Sequence, residues 1–174
     1  MNNLFRRPVA LRWSDLDAFN HVNNARYLTF IEQARIEWFD TIAEPWVTTE
    51  TAPVVASATL NFKRPIEYPA SIFVELFTAK LGTRSVVIGH RIVDADGGLH
   101  CDGSVVAVWI DRRSGRPTPL PDGAIAIAGD PDHAALAADE AARDGRALGR
   151  RRRRALWGLR ALRQTETAPG AAEA

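Results

Sequence analysis

Apolar residues Tyr27, Leu28, Phe30, Ile31, Ala34, Ile36, Trp38 and Phe39 recur at helical spacing and wrap most of a helix circumference. That pattern predicts a long helix buried on nearly all sides. Asn23 or Asn24 is placed to cap it, because an asparagine side chain accepts from the second or third helical N–H. The helix is expected to run to Phe39 or Asp40, with Pro45 closing the region. The short apolar stretch of residues 8–13 reads as a first strand. From Pro53 the period changes. Residues 54–62 are strand-like, and Pro65 and Pro69 interrupt them. Residues 71–80 alternate, with Ile72, Val74 and Leu76 on one side and Phe73, Glu75 and Phe77 on the other. Residues 81–84 read as a turn or bulge, residues 85–93 as a β-branched strand, residues 94–98 as a hairpin connection, and residues 99–110 as a last strand. Short turns imply antiparallel neighbours. The predicted class is α+β, with a curved antiparallel sheet of about five strands wrapped around a long central helix.

The C-terminal third follows neither period. Residues 123–142 are rich in Ala, Asp and Gly and read as a linker or weak helix. Residues 143–163 hold nine arginines and one acid, Asp144. Leu148, Ala155, Leu156, Leu159 and Leu162 share one helical face there, with Arg152 and Arg163 intruding; residues from Thr165 read as disordered. We therefore expect a domain over residues 1–122 and an Ala/Arg-rich extension over 123–174. The extension fits a solvated tail, an interfacial helix making weak contact with anionic membrane through residues 146–163, or a non-specific polyanion binder. Amphipathicity favours lipid over nucleic acid.

Composition adds limits. The chain has 174 residues, 46% hydrophobic and 25% charged, with net charge +1. Residues 1–122 carry 13 basic and 14 acidic residues, so the domain offers no broad field for a polyanion. Cys101 is the single cysteine and reads as a small buried hydrophobe, excluding an intramolecular disulfide framework. With no apolar run of transmembrane length and no signal-peptide core, the expected location is the cytoplasm.

The densest chemistry is Asp15-Leu16-Asp17-Ala18-Phe19-Asn20-His21-Val22-Asn23-Asn24, directly ahead of the helix. The first turn of a helix has unbonded N–H groups and a positive dipole end. Those groups can hold a developing oxyanion while a nearby carboxylate attacks or activates water. Tyr27-Leu28 and Glu32-Gln33-Ala34-Arg35 follow. The whole pattern, D-x-D-x-x-x-H-V-N-N-x-x-Y-L-x-x-x-E-x-A-R, resembles the 4-hydroxybenzoyl-CoA thioesterase family of hotdog-fold acyl-CoA thioesterases. The resemblance covers about the first two-thirds of the chain.

It implies hydrolysis of an acyl-CoA to a free acid and a thiol, without a cofactor, in a homodimer or homotetramer whose active site lies at a dimer interface. It places the catalytic carboxylate at Asp17, as nucleophile or general base, and leaves Asp15 to bond the loop backbone. Asn20 stands where family members often have Gly, a position that Asn tolerates when left-handed. His21 is a base candidate or a turn-holding group. Asn23 and Asn24 cap the helix or offer a backbone N–H to the thioester carbonyl. Glu32 pairs with Arg35 at i, i+3 and is a reserve catalytic candidate. Tyr27 lines an acyl pocket or belongs to the core. Arg64 and Arg84 are the candidates for coenzyme A phosphates, Arg84 because its turn also offers backbone N–H groups. His21, His90, His100 and His133 are too scattered for a metal site, and neither a Gly-rich nucleotide loop nor a serine nucleophile elbow occurs. A non-hydrolytic acyl-thioester-binding module, and a membrane-associated adaptor acting through the tail, are the other classes the chain admits.

Overall fold

The structure is a computed structural model that describes residues 4–41 and 45–128. All of them lie in the first of two units, Met1–Ala138. In chain order the elements are β1 (Phe5–Val9), α1 (Asn24–Phe39), β2 (Thr51–Phe62), β3 (Ile72–Leu81), β4 (Ser85–Asp94), β5 (Leu99–Asp111) and a short α2 (Asp122–Ala128). The five strands form one sheet in the order β1-β3-β4-β5-β2, every pairing antiparallel. β1 and β2 thus occupy opposite edges although α1 alone separates them in sequence. The sheet is about 19 Å across, at four spacings of ~4.8 Å. Sixteen helical residues span about 24 Å, enough to carry the chain from one edge to the other.

α1 buries Tyr27, Phe30, Ile31, Ala34, Trp38 and Phe39 against Val74, Leu76, Ile88, Ile92, Val105 and Trp109 of the sheet. Phe39 meets Trp109 and Trp46 with ring centroids 5.7 and 5.1 Å apart, and Trp109 Nε1 donates to the Trp46 carbonyl at 3.1 Å. The expected all-round burial of the helix does not hold in the single chain. Its buried positions form one stripe, while Leu28 is 43% exposed and Ile36 is half-buried. The first strand also differs: it ends at Val9, and Trp13–Asp15 is a single 3-10 turn. The cause is local. Asp15 Oδ2 accepts from the Arg12 amide at 2.9 Å, and side-chain bonds of this kind draw the backbone out of a strand ladder.

The two edges are unequal. β1 has 5 residues, whereas β2 has 12, exposed along Val54–Thr59 in an unbroken run. At the far end of the sheet Leu120 and Ala124, at the start of α2, join the core. Among the described residues no helix is long and apolar enough to cross a membrane, which says nothing of a β-barrel.

Candidate active site

The Asp-rich segment folds as a tight loop against the start of α1. Leu16 and Val22 form an antiparallel bridge, the Asp17 amide donates to the His21 carbonyl at 2.7 Å, and the Asn20 amide donates to the Asp17 carbonyl at 3.3 Å. Asn20 sits at φ 60°, the left-handed region that Asn accepts more readily than other non-Gly residues. The loop is tied to the crossing that follows β2. The Val22 amide donates to the Ile66 carbonyl at 2.9 Å, His21 and Glu67 form a backbone bridge, and Asn20 Nδ2 donates to the Tyr68 carbonyl at 3.4 Å.

The two carboxylates divide the work. Asp15 is fully buried and accepts from the Arg12 guanidinium at 3.0 and 3.2 Å, with Arg26 Nε 3.5 Å away. These bonds, Arg12 first, hold its carboxyl below the usual range. Its carbonyl also accepts from the Asn23 amide at 2.8 Å, so Asp15 is a structural anchor. Asp17 is exposed. Its Oδ1 accepts from the Phe19 amide at 2.8 Å and the His21 amide at 3.1 Å, and these two bonds lower its pKa. No hydrogen bond to Oδ2 is present among the described residues.

Asn23 is the N-cap. Its Oδ1 accepts from the Ala25 amide at 3.0 Å and its carbonyl from the Arg26 amide at 2.8 Å. Among the described residues the Asn24 amide has no acceptor, which makes it the open donor of the first turn. His21 lies beside Asp17, close enough for charge on its ring to favour the Asp17 carboxylate. Its Nε2 is 3.7 Å from Glu67 Oε1.

The remaining candidates are spread out. Tyr27 is buried, with its ring edge-on to Phe62 at 5.0 Å and its hydroxyl pKa pushed up to about 12 by burial. Glu32 is eight residues along α1, about 12 Å from Asn24. Its side chain is 67% exposed and reaches the buried Arg35 only at 4.0 Å. Arg64 shares the loop's end of the sheet, but its guanidinium is held by Asp94 and by His100 Nε2 at 3.1 Å. Arg84 lies in the β3–β4 turn at the opposite end, some 30 Å from Ile72 along β3 at ~3.3 Å per residue. One chain therefore joins Asp17, His21, Asn23, Asn24 and Tyr27, and leaves Glu32 and Arg84 apart. Burial pushes the Cys101 thiol up to about 11, which suits a core residue. Among the described residues no group of three His, Cys, Asp or Glu is placed to hold a metal ion.

Sequence reasoning missed Glu67, Arg12, Arg26 and the exposed Trp13, whose ring meets Tyr68 edge-on at 5.9 Å. Trp13 and Arg12 stand just ahead of the motif, so adjacency was a usable signal. Glu67 carries none, being brought in from 46 residues away.

Comparison with known proteins agrees with the fold. A putative acyl-CoA thioesterase from Xanthomonas campestris is 46% identical over 63% of this chain and 96% of its own, with a TM-score of 0.58. A thioesterase from Thermus thermophilus, solved with coenzyme A and Zn, is 35% identical over 71% of this chain and 95% of its own, with a TM-score of 0.61. The long-chain acyl-CoA thioesterase FadM of Escherichia coli K12 is 28% identical over 64% of this chain and 87% of its own. Residues 11–127 match the family model described as the thioesterase-like superfamily. With its buried helix, antiparallel sheet and loop-to-helix site, this chain is a hotdog-fold protein and belongs to the thioesterase-like superfamily.

Proposed function

We propose that the protein hydrolyses acyl-CoA thioesters, with Asp17 as nucleophile or general base and the first turn of α1 as the oxyanion site. The observation that carries this reading is the pairing of an exposed, ionised Asp17 carboxylate with the open Asn24 amide on one short loop–helix junction. Donors aimed at developing charge supply the largest single share of such catalysis. The names of the relatives support the acyl-CoA class, and the motif supports kinship with 4-hydroxybenzoyl-CoA thioesterases. Because two amides hold Asp17 ionised, it stays charged to below the usual carboxylate range, and an acid limb near neutrality in the rate profile belongs to another group.

Assembly follows from the long edge. We infer a homodimer in which β2 pairs with its copy, antiparallel about a two-fold axis, because an uncovered strand of 12 residues is otherwise a template for uncontrolled pairing. Such a pairing carries the far end of one sheet towards the Asp17 end of the other, which is how Arg84 can serve coenzyme A phosphates although it is remote within one chain. Arg84 has no ion pair among the described residues. A tetramer would add a second dimer. We place catalysis in residues 1–122, with 123–174 as the extension and a reducing cytoplasm as the setting. Membrane contact through residues 146–163 lies outside the described residues.

A second reading, a non-hydrolytic acyl-binding module, is favoured by one fact: Asp17 Oδ1 is already engaged by the loop. Replacing Asp17 by Asn and assaying thiol release from a panel of aliphatic and aromatic acyl-CoAs separates the two. A folded D17N chain with wild-type turnover overturns the catalytic assignment.

A further inference from the structure

Thioester hydrolysis through Asp17 leaves protons to be moved, and Asp17 is badly suited to moving them. Its carboxyl is held ionised by the Phe19 and His21 amides, so it is a weak base, and one oxygen is occupied. The titratable side chain beside it on the loop is His21. What faces His21 from the packed segment is Glu67, whose Oε1 lies 3.7 Å from His21 Nε2. The approach is set by the main chain: His21 and Glu67 are partners in a backbone bridge, and the adjacent Val22 amide donates to the Ile66 carbonyl at 2.9 Å. The nearby cations are engaged elsewhere. Arg12 and Arg26 belong to Asp15, and Arg64 to Asp94.

We propose that Glu67 is a positioning residue that orients the His21 imidazole as the proton carrier for Asp17. The proposal rests on the thioesterase reading. With Glu67 at Nε2, the Nε2–H tautomer is favoured and Nδ1 is left to exchange the proton, the ordinary consequence of a carboxylate on one ring nitrogen. In the nucleophilic route Asp17 Oδ2 attacks the thioester carbonyl, the C–S bond breaks, and the thiolate takes a proton from the His21 imidazolium. Water then attacks the mixed anhydride, its proton passes to His21, and the Asp17 carboxylate is restored. In the general-base route a water proton passes first to Asp17 and then through His21 to the thiolate. Both routes balance, and both need the imidazole held in one orientation.

The test uses the full chain with Glu67→Gln and Glu67→Asp. NMR follows the ring nitrogens of His21, assigned by difference against His21→Gln. Glu67→Gln should redistribute the ring proton of the neutral imidazole between Nε2 and Nδ1, read from the ring 15N shifts at alkaline pH, and Glu67→Asp should restore most of the Nε2–H form. With acyl-CoA, Glu67→Gln should lower kcat about fivefold while KM stays within about twofold, with partial rescue by Glu67→Asp. A His21 tautomer balance unchanged by Glu67→Gln overturns the pairing whether or not the chain hydrolyses anything. A changed balance without any change in kcat overturns its role in turnover. A wild-type chain inert toward every acyl-CoA sinks the thioesterase reading instead, and the 15N shifts still decide the pair.

Discussion

The Asp17 loop and the middle of the sheet treat polar groups in opposite ways. In the loop, carboxylates and amides are bonded whether buried, as Asp15 is, or exposed: Asp15 to Arg12 and Arg26, Asp17 to Phe19 and His21, Asn23 to Ala25. Under α1, His90 is 1% exposed and neither ring nitrogen has a partner among the described residues; Thr78 Oγ1 is in the same state. His90 is close enough to the buried Arg35 to feel its charge, and burial pushes its pKa down to about 4. Gly103 opposite makes the room, because a Cβ there would lie 2.8 Å from His90 Nε2. The loop is over-determined by hydrogen bonds, whereas the core holds an imidazole without a partner among the described residues.

The sharpest way to break that comparison lies within the loop. Asp17→Asn should cut kcat at least a hundredfold and leave the melting temperature nearly unchanged, measured by thiol release and calorimetry on one sample. Asp15→Ala should do the reverse in kind. It strips a buried partner from Arg12 and Arg26, and denaturant titration should show a loss of about 3 kcal/mol. If Asp15→Ala proves neutral for stability, Asp15 is not the anchor.

The core offers the next test. An unfolded His90 binds a proton near pH 6.5, and the folded one only near about 4. Between these values the unfolded chain holds more protons, so stability rises with pH and is lost as pH falls from 6.5 towards 4, by up to about 3 kcal/mol. The depressed Asp15 carboxyl contributes in a lower window: its stability is present above about 3.9 and lost as pH falls through its folded value. His90→Leu should flatten the stability profile between pH 4 and 6.5 and leave the loss below it. A profile of unchanged slope refutes the unpaired imidazole. The smallest effect is expected at Asn20, where Gly suits φ 60° without the Cβ penalty. Asn20→Gly should stabilise by at most about 1 kcal/mol, because glycine also loses more freedom on folding.

Much of this was legible in the sequence, for a reason that the loop makes plain. Its internal bonds join residues two to eleven apart, so Asn20 in a left-handed turn and Asn23 at the cap follow from local chemistry, whereas the separate roles expected of Asp15 and Asp17 came from the family resemblance. The five strands were equally visible because period and turns are local. What escaped depends on distant contacts. Apolar residues at 28 and 36 suggested a helix buried all round, but periodicity cannot say how far a sheet wraps. The first strand stops at Val9 because Arg12 and Asp15 bond each other, a competition that hydropathy does not register. Glu67 reaches His21 only through the path of the crossing after β2, and the separation of Arg84 from Asp17 follows from strand direction.

The placement of the tryptophans divides the molecule optically. Trp38 and Trp109 are sealed in the core, and Trp46 packs against it, within energy-transfer range of one another. Trp13 stands 74% exposed at the edge of the loop. With Trp157, which lies outside the described residues, replaced by Phe, red-edge excitation selects a water-facing indole a few residues from Asp17, while the blue-shifted emission belongs to the packed cluster. Quenching by iodide reads the mouth of the site and acrylamide at high concentration reads the interior, so ligand arrival and unfolding can be followed as two colours of the same intrinsic light.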